Sequence, residues 1–180
     1  MYFFTAYTFG SGDYQRHTQT TMTYKMQSHM DVTLAANYWV YSRNMQMYWW
    51  LVYDKTPTGT LPTTSQIFDT LYKERHVTWM VNRDVCHRFV VKKKWTTSLS
   101  SNGVSADKIN ETVCALAKQS VNQVKLFKRL GVKTEWKNTT TGEIGDVKAG
   151  ALYLVGAPTD GFKINLYGRF RMYFKSVGNQ

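Results

Sequence analysis

The chain has 180 residues, 43% of them hydrophobic and 15% aromatic, and carries a formal net charge of +11. That length and apolar content suit a single domain over residues 1–180 with one sizeable core, and the charge favours an acidic partner, nucleic acid or an anionic surface, over a basic one. Two cysteines, Cys86 and Cys114, in no CxxC pair argue against a secreted disulfide scaffold and for free, mostly buried thiols in a reducing compartment.

In chain order, strand signals dominate. MYFFTAYTF (residues 1–9) is strand-like and lacks the basic flank and small-residue cleavage site of a signal peptide. HTQTTMTYKMQSHMDVTL (17–34) alternates Met22, Tyr24 and Met26 against Thr23, Lys25 and Gln27. MQMYWWLVYD (45–54) is a fuller apolar run, as a strand covered on both faces requires, and Asp54 and Lys55 stop it far short of a membrane span. KTPTGTLPT (55–63) is turn chemistry. SQIFDTLYK (65–73) predicts a short helix with Thr63 or Thr64 as N-cap.

HVTWMV (76–81) and RFVVKKKWTTSL (88–99) predict strands, followed by a polar loop over 100–110 and a helical turn or irregular excursion over 111–120. Further strands are expected at 121–130, 132–138, 151–157 and 162–175. In the last, Phe170, Met172 and Phe174 alternate with Arg171, Tyr173 and Lys175, the period-two pattern of a strand buried on one face. Eight strands with one or two short helices in loops predict an all-β fold, two sheets packed face to face as a Greek-key sandwich or a jelly roll.

Catalytic constellations are poor. His17, His29, His76 and His87 fall at no metal-ligand spacing, so neither metal nor cofactor is expected. Cys86 and His87 are adjacent, and neighbours on a strand point to opposite faces, so a buried structural cysteine is the better reading than a nucleophile. GSG (10–12) has neither the lysine nor the helix of a phosphate loop. An enzyme is not expected.

The polyanion signal is better. Arg88, Lys92 and Lys94 share one face of a regular strand, residues two apart lying roughly 6.5–7 Å from each other, a spacing able to span successive phosphates. Lys125, Lys128 and Arg129 form a second basic set, and Arg169, Arg171 and Lys175 a third. Rings beside cations are what single-stranded nucleic acid needs. For any one cation a solvated outer face or an ion pair remains as good a reading. Scattered cations without a base-reading module predict electrostatic, nearly sequence-independent binding.

Several blocks resemble geminivirus coat proteins: SGDYQRHTQTTMTYK (11–25), WLVYDKTPTG (50–59), VTWMVNRDVCHRFVVKKKW (77–95), RLGVKTEWKN (129–138), GALYLV (150–155) and YFKSVGNQ (173–180). They are most similar to the mastrevirus branch, of the wheat dwarf type, and run collinearly over nearly the whole chain. The resemblance implies a single jelly-roll capsid subunit assembling through pentameric capsomers into twinned icosahedral particles around circular single-stranded DNA. It further implies a virion location, entry into the host nucleus with host import factors, a role in viral movement, and insect-vector contacts. The lysine- and arginine-rich N-terminal arm that carries DNA binding and nuclear import in that family is not in these residues.

On the family's plan, strands 17–34, 76–81, 132–138 and 162–175 form one sheet, with 162–175 central in it. Strands 45–54, 88–99, 121–130 and 151–157 form the other. If the first sheet faces the interior, as is common in viral jelly rolls, Lys25, Arg171 and Lys175 are the DNA contacts, and Arg16 and Arg169 are further nucleic-acid-binding candidates. If the second does, Arg88, Lys92 and Lys94 are. A cellular single-stranded-DNA-binding module and a lectin-like or hydrolytic sandwich are the competing readings, and only the capsid reading yields large regular particles by negative-stain microscopy.

Overall fold

The computed structural model describes residues 1–35, 42–73, 75–103 and 121–178. Among them are ten strands: β1 (Tyr2–Phe3), β2 (Thr20–Leu34), β3 (Ser42–Asp54), β4 (Phe68–Asp69), β5 (Met80–Val81), β6 (Phe89–Asn102), β7 (Asn122–Trp136), β8 (Val147–Ala149), β9 (Ala151–Pro158) and β10 (Ile164–Ser176). Two antiparallel four-stranded sheets, in the orders β1-β9-β3-β6 and β10-β2-β7-β8, make an all-β sandwich, with β4 and β5 as a small separate ribbon. Among the described residues no helix is long and apolar enough to cross a membrane.

The run in β3 explains the layers. Met47, Trp49 and Leu51 point between the sheets, onto Met26, Val32 and Leu34 of β2 and Leu126 of β7. Tyr48, Trp50 and Val52 point the other way and are buried too. Trp50 lies 5.0 Å from the Phe68 ring and 5.8 Å from the Trp79 ring, so the excursion between β3 and β6 covers the outer face of this sheet. The strand is covered on both sides, as its composition predicts.

That excursion departs from expectation in two places. The helix spans only Thr64–Ile67, with Thr63 at the N-cap and its N–H donated to the Gln66 side chain at 2.8 Å. Ile67 and Phe68 are both buried, and the Asp69 carboxylate accepts the Leu71 N–H at 3.0 Å, a local turn that competes with a further helical turn. The stretch read as a strand over 76–81 is instead a 3₁₀ turn, His76–Thr78, and the two-residue β5, paired with β4. His76 and Trp79, three apart, bury together against Tyr48 and Trp50, and that aromatic packing overrides the alternating pattern.

Residues 121–130 and 132–138, read as strands of opposite sheets, are largely one strand, β7, beside β2. A bulge lets the strand bend without ending: Tyr24 of β2 stands against Leu130 and Gly131, and Gly131 takes φ +64°, which a side chain would resist. The same bulge shifts the alternation in β2, so that Thr21 and Thr23 face inward before it and Met26, Ser28 and Met30 after it. Placing β7 here leaves β10, among the described residues, at the edge of its sheet and bonded to β2 alone, rather than central as the family plan suggests. Strand β6 runs on through Ser100–Asn102, where a loop was expected; the rest of that loop, the expected helical turn over 111–120 and Cys114 lie outside the described residues. Cys86 is exposed in the turn after a 3₁₀ helix, Arg83–Val85, and not buried in a strand.

The N-terminal segment ties the sheets together. β1 pairs with the edge of β9, and the Phe4 N–H donates to the Leu152 carbonyl at 2.8 Å. The Phe4 ring then meets Phe170 of β10 at 4.8 Å, and Tyr7 stacks on Phe174 at 3.9 Å with its hydroxyl hydrogen-bonded to Thr23. Phe170, Met172 and Phe174 thus point into the sandwich, as their alternation predicts.

Candidate nucleic-acid interface

Cross-strand register decides which cations share a face, because residues directly opposite in an antiparallel pair project to the same side. On the outer face of β10, β2 and β7 the register gives successive rows: Tyr167–Asp31–Gln123, Arg169–His29–Lys125, Arg171–Gln27–Phe127 and Tyr173–Lys25–Arg129. Beyond the bulge, Lys175, Met22 and Lys133 form another. Rows lie roughly 6.5–7 Å apart along the strands and strands about 4.8 Å apart. The result is a platform where cations from three strands alternate with rings.

Those groups are presented to solvent. Phe127 is 57% exposed and Tyr167 66%, and Arg169, Arg171, Lys175, Lys125 and Arg129 are exposed as well. The Lys25 ammonium lies 4.1 Å from the Tyr173 ring and 5.8 Å from that of Tyr24, while Lys175 caps Tyr24 at 6.0 Å. Such contacts hold the rings and ammoniums together without neutralising the charge. Tyr173 donates to Gln27 at 3.4 Å, and Gln27 hydrogen-bonds His29 at 3.2 Å. Among the described residues the face carries two carboxylates: Glu135 is paired with Lys133 at 2.7 Å, which pulls its pKa below the usual carboxylate range, and Asp31 is in no ion pair with any of them.

The sequence-selected cations divide sharply. Lys25, Arg169, Arg171 and Lys175 all lie on this platform. Arg16 does not: it is fully buried, its guanidinium donating to the carbonyls of Tyr7 and Thr139 and to the Gln19 side chain, and stacked 4.7 Å from the Trp136 ring. Burial pulls its pKa down, with the Asp146 charge opposing. Arg88 precedes β6 and makes a two-pronged ion pair with buried Asp54, both bonds 2.8 Å. Asp54 also accepts from Tyr153 and the Thr56 N–H, so a buried carboxylate is well satisfied there, and it raises the Arg88 pKa.

Lys92 and Lys94 do not share the regular face expected of them. A register shift leaves Lys92 as the extra residue of β6, so Lys94 lies opposite Trp50 and on the side of Val91 and Phe89. Lys94 donates to the Val77 carbonyl at 2.8 Å and lies 5.5 Å from the Trp50 ring, tacking the excursion onto its sheet. Arg88, Lys92 and Lys94 therefore make no row of free cations.

Sequence reasoning missed how many groups would converge. Lys125 and Arg129 were a separate basic set on the wrong sheet, and His29, Phe127 and Tyr167 were not singled out. The alternation Lys125, Phe127, Arg129 was the available signal, hidden by reading Gly131 as a strand end. Lys128, from the same set, stands opposite Met26 on the inward side. Among the described residues no group of histidine, cysteine and carboxylate side chains is placed to hold a metal ion.

Comparison with known proteins identifies the family of the chain. A model of the geminivirus coat protein/nuclear export factor BR1 family matches residues 1–180. The capsid protein of tobacco yellow dwarf virus (strain Australia) is 47% identical over 183 residues, covering 95% of this chain and 68% of that protein. Those of Chloris striate mosaic virus and maize streak virus genotype C (isolate Set) are 42% and 41% identical, covering 99% and 97% of this chain and 76% and 73% of theirs. This all-β chain belongs to the geminivirus coat protein family, with the mastrevirus capsid proteins among its relatives, and its role is structural rather than enzymatic.

Proposed function

We propose that this chain is a shell subunit that holds single-stranded DNA against the outer face of β10, β2 and β7. The carrying observation is the platform itself, where Lys25, Lys125, Arg129, Arg169, Arg171 and Lys175 interleave with Tyr24, Phe127, Tyr167 and Tyr173 on three adjacent strands. Cations supply phosphate neutralisation and rings supply sequence-tolerant stacking, the pairing that single strands use. In this reading the platform faces the interior of the particle and the aromatic excursion over the other sheet faces outward. The finer picture rests on family membership: pentameric capsomers, twinned particles around circular DNA, nuclear shuttling, movement and insect transmission.

Binding of fluorescent single-stranded oligomers to the purified chain tests it. Affinity should fall steeply with salt, log Kd changing against log salt with a slope of about 3 if four or five phosphates are engaged. A salt-independent affinity would overturn the reading, as would negative-stain images of assembled particles lacking nucleic-acid absorbance.

A further inference from the structure

One hollow on the platform differs from the rest of it. It has a volume of about 420 Å³ and lies between two neighbouring rows, Tyr167–Asp31–Gln123 and Arg169–His29–Lys125. That is within the size range of small-ligand sites. The second row is what a phosphate requires, with Arg169 and Lys125 two strands apart and His29 between them. The first row is not made for phosphate at all. Its centre is Asp31, an exposed carboxylate in no ion pair among the described residues, whereas Glu135 on the same face is neutralised by Lys133.

An unpaired carboxylate weakens every phosphate contact near it, and in this hollow Asp31 is placed to accept from donors that arrive with the ligand. A carboxylate only accepts, and it binds best to two parallel N–H groups. Among the DNA bases guanine alone offers that pair, N1–H and the N2 amino group. Adenine and cytosine offer one amino group, and the single N–H of thymine is flanked by two carbonyl oxygens that repel a carboxylate. Gln123 is opposite Asp31 on β7, where its amide can donate to guanine O6, and Tyr167 stands on the other side with a largely exposed ring for stacking.

We infer that this hollow is a guanine-nucleotide subsite within the DNA-binding face. Arg169 and Lys125 hold the phosphate, Tyr167 stacks on the base, and Asp31 with Gln123 reads its Watson–Crick edge. The inference rests on the reading that this face takes single-stranded DNA, and adds one base-selective position to an otherwise sequence-tolerant surface.

Fluorescence anisotropy with thymine octamers, unmodified or carrying one central guanine, adenine or cytosine, tests it. The guanine octamer should bind about fivefold tighter than the thymine octamer at the same salt, and tighter than the adenine and cytosine ones. Asp31→Asn should abolish that preference while raising affinity for the thymine octamer, because it removes a negative charge beside the phosphates; circular dichroism checks that the fold is kept. Equal binding of all four octamers with a normal salt dependence would overturn the guanine subsite and spare the proposed function. Preference for adenine or cytosine, or guanine preference surviving in Asp31→Asn, would overturn it too. Absence of salt-dependent binding by any octamer would overturn both.

Discussion

At the scale of single residues, two arginines show how little charge alone says about role. Arg16 and Arg88 are cations of the same type as Arg171, yet Arg16 is spent on carbonyls inside the subunit and Arg88 on buried Asp54. Removing Arg16 strands those carbonyls and opens space beside Trp136. Arg16→Ala should therefore lower unfolding free energy by about 2–4 kcal/mol in denaturant titration, without changing the salt slope of DNA binding in the remaining folded protein. A changed slope at full stability would place Arg16 on the binding face. Nothing in the sequence around Arg16 marks it as buried, because its partner Thr139 lies 123 residues away.

At the scale of elements, β3 and β10 carry the sharpest expectations. Trp50 and Leu51 are fully buried on opposite faces of β3, one beneath the aromatic excursion and one between the sheets. Each alanine variant should cost roughly 3–5 kcal/mol, and particle yield with calorimetry should fall for both. For β10, loss of residues 173–180 removes the Tyr7–Phe174 stack and the last pairings to β2, so misfolding is expected. Reversing Arg171 and Lys175 to glutamate leaves the inward side untouched. Circular dichroism should stay native while nucleic-acid absorbance of purified particles drops; normal packaging would remove β10 from the interface.

These two elements also show what was legible in the sequence. The two-sided burial of β3 and the one-sided alternation of β10 follow from composition and period alone. The pairing of β10 did not, since an edge and a central strand can share the same alternation. The bulges at Tyr24 and Lys92 were equally hidden. A one-residue shift leaves no mark on local composition, yet it decides which of Lys92, Lys93 and Lys94 shares a side with Trp50.

At the scale of the whole molecule, two buried phenols couple the fold to pH. Burial pushes the pKa of Tyr7 well above the ordinary tyrosine value, and burial together with the Asp54 charge does the same for Tyr153. Both remain protonated in the folded chain where an unfolded chain would ionise. Their contribution is thus fully present below about pH 10 and is lost as pH rises beyond it. Denaturant titrations should give level stability on the neutral side of that value and a decline above it, with phenolate absorbance from these two residues appearing only as the fold is lost. A phenolate from either in the native state would contradict the burial described.

The clasp formed by the first residues of the described chain has a consequence in time. β1 pairs with β9, Arg16 waits for Thr139, the His17 N–H donates to Ser176, and Tyr7 stacks on Phe174. Each contact joins residues 2–17 to residues 139–176, more than a hundred positions later. Contacts that distant are slow to close, because a long loop must be ordered before they reward it. On the ribosome, the aromatic run around Tyr2, Phe3, Phe4 and Tyr7 must therefore wait for its partners until β9 and β10 are made. The sandwich can lock only when β10 has emerged, so closure of the clasp is a late step that follows synthesis of both sheets.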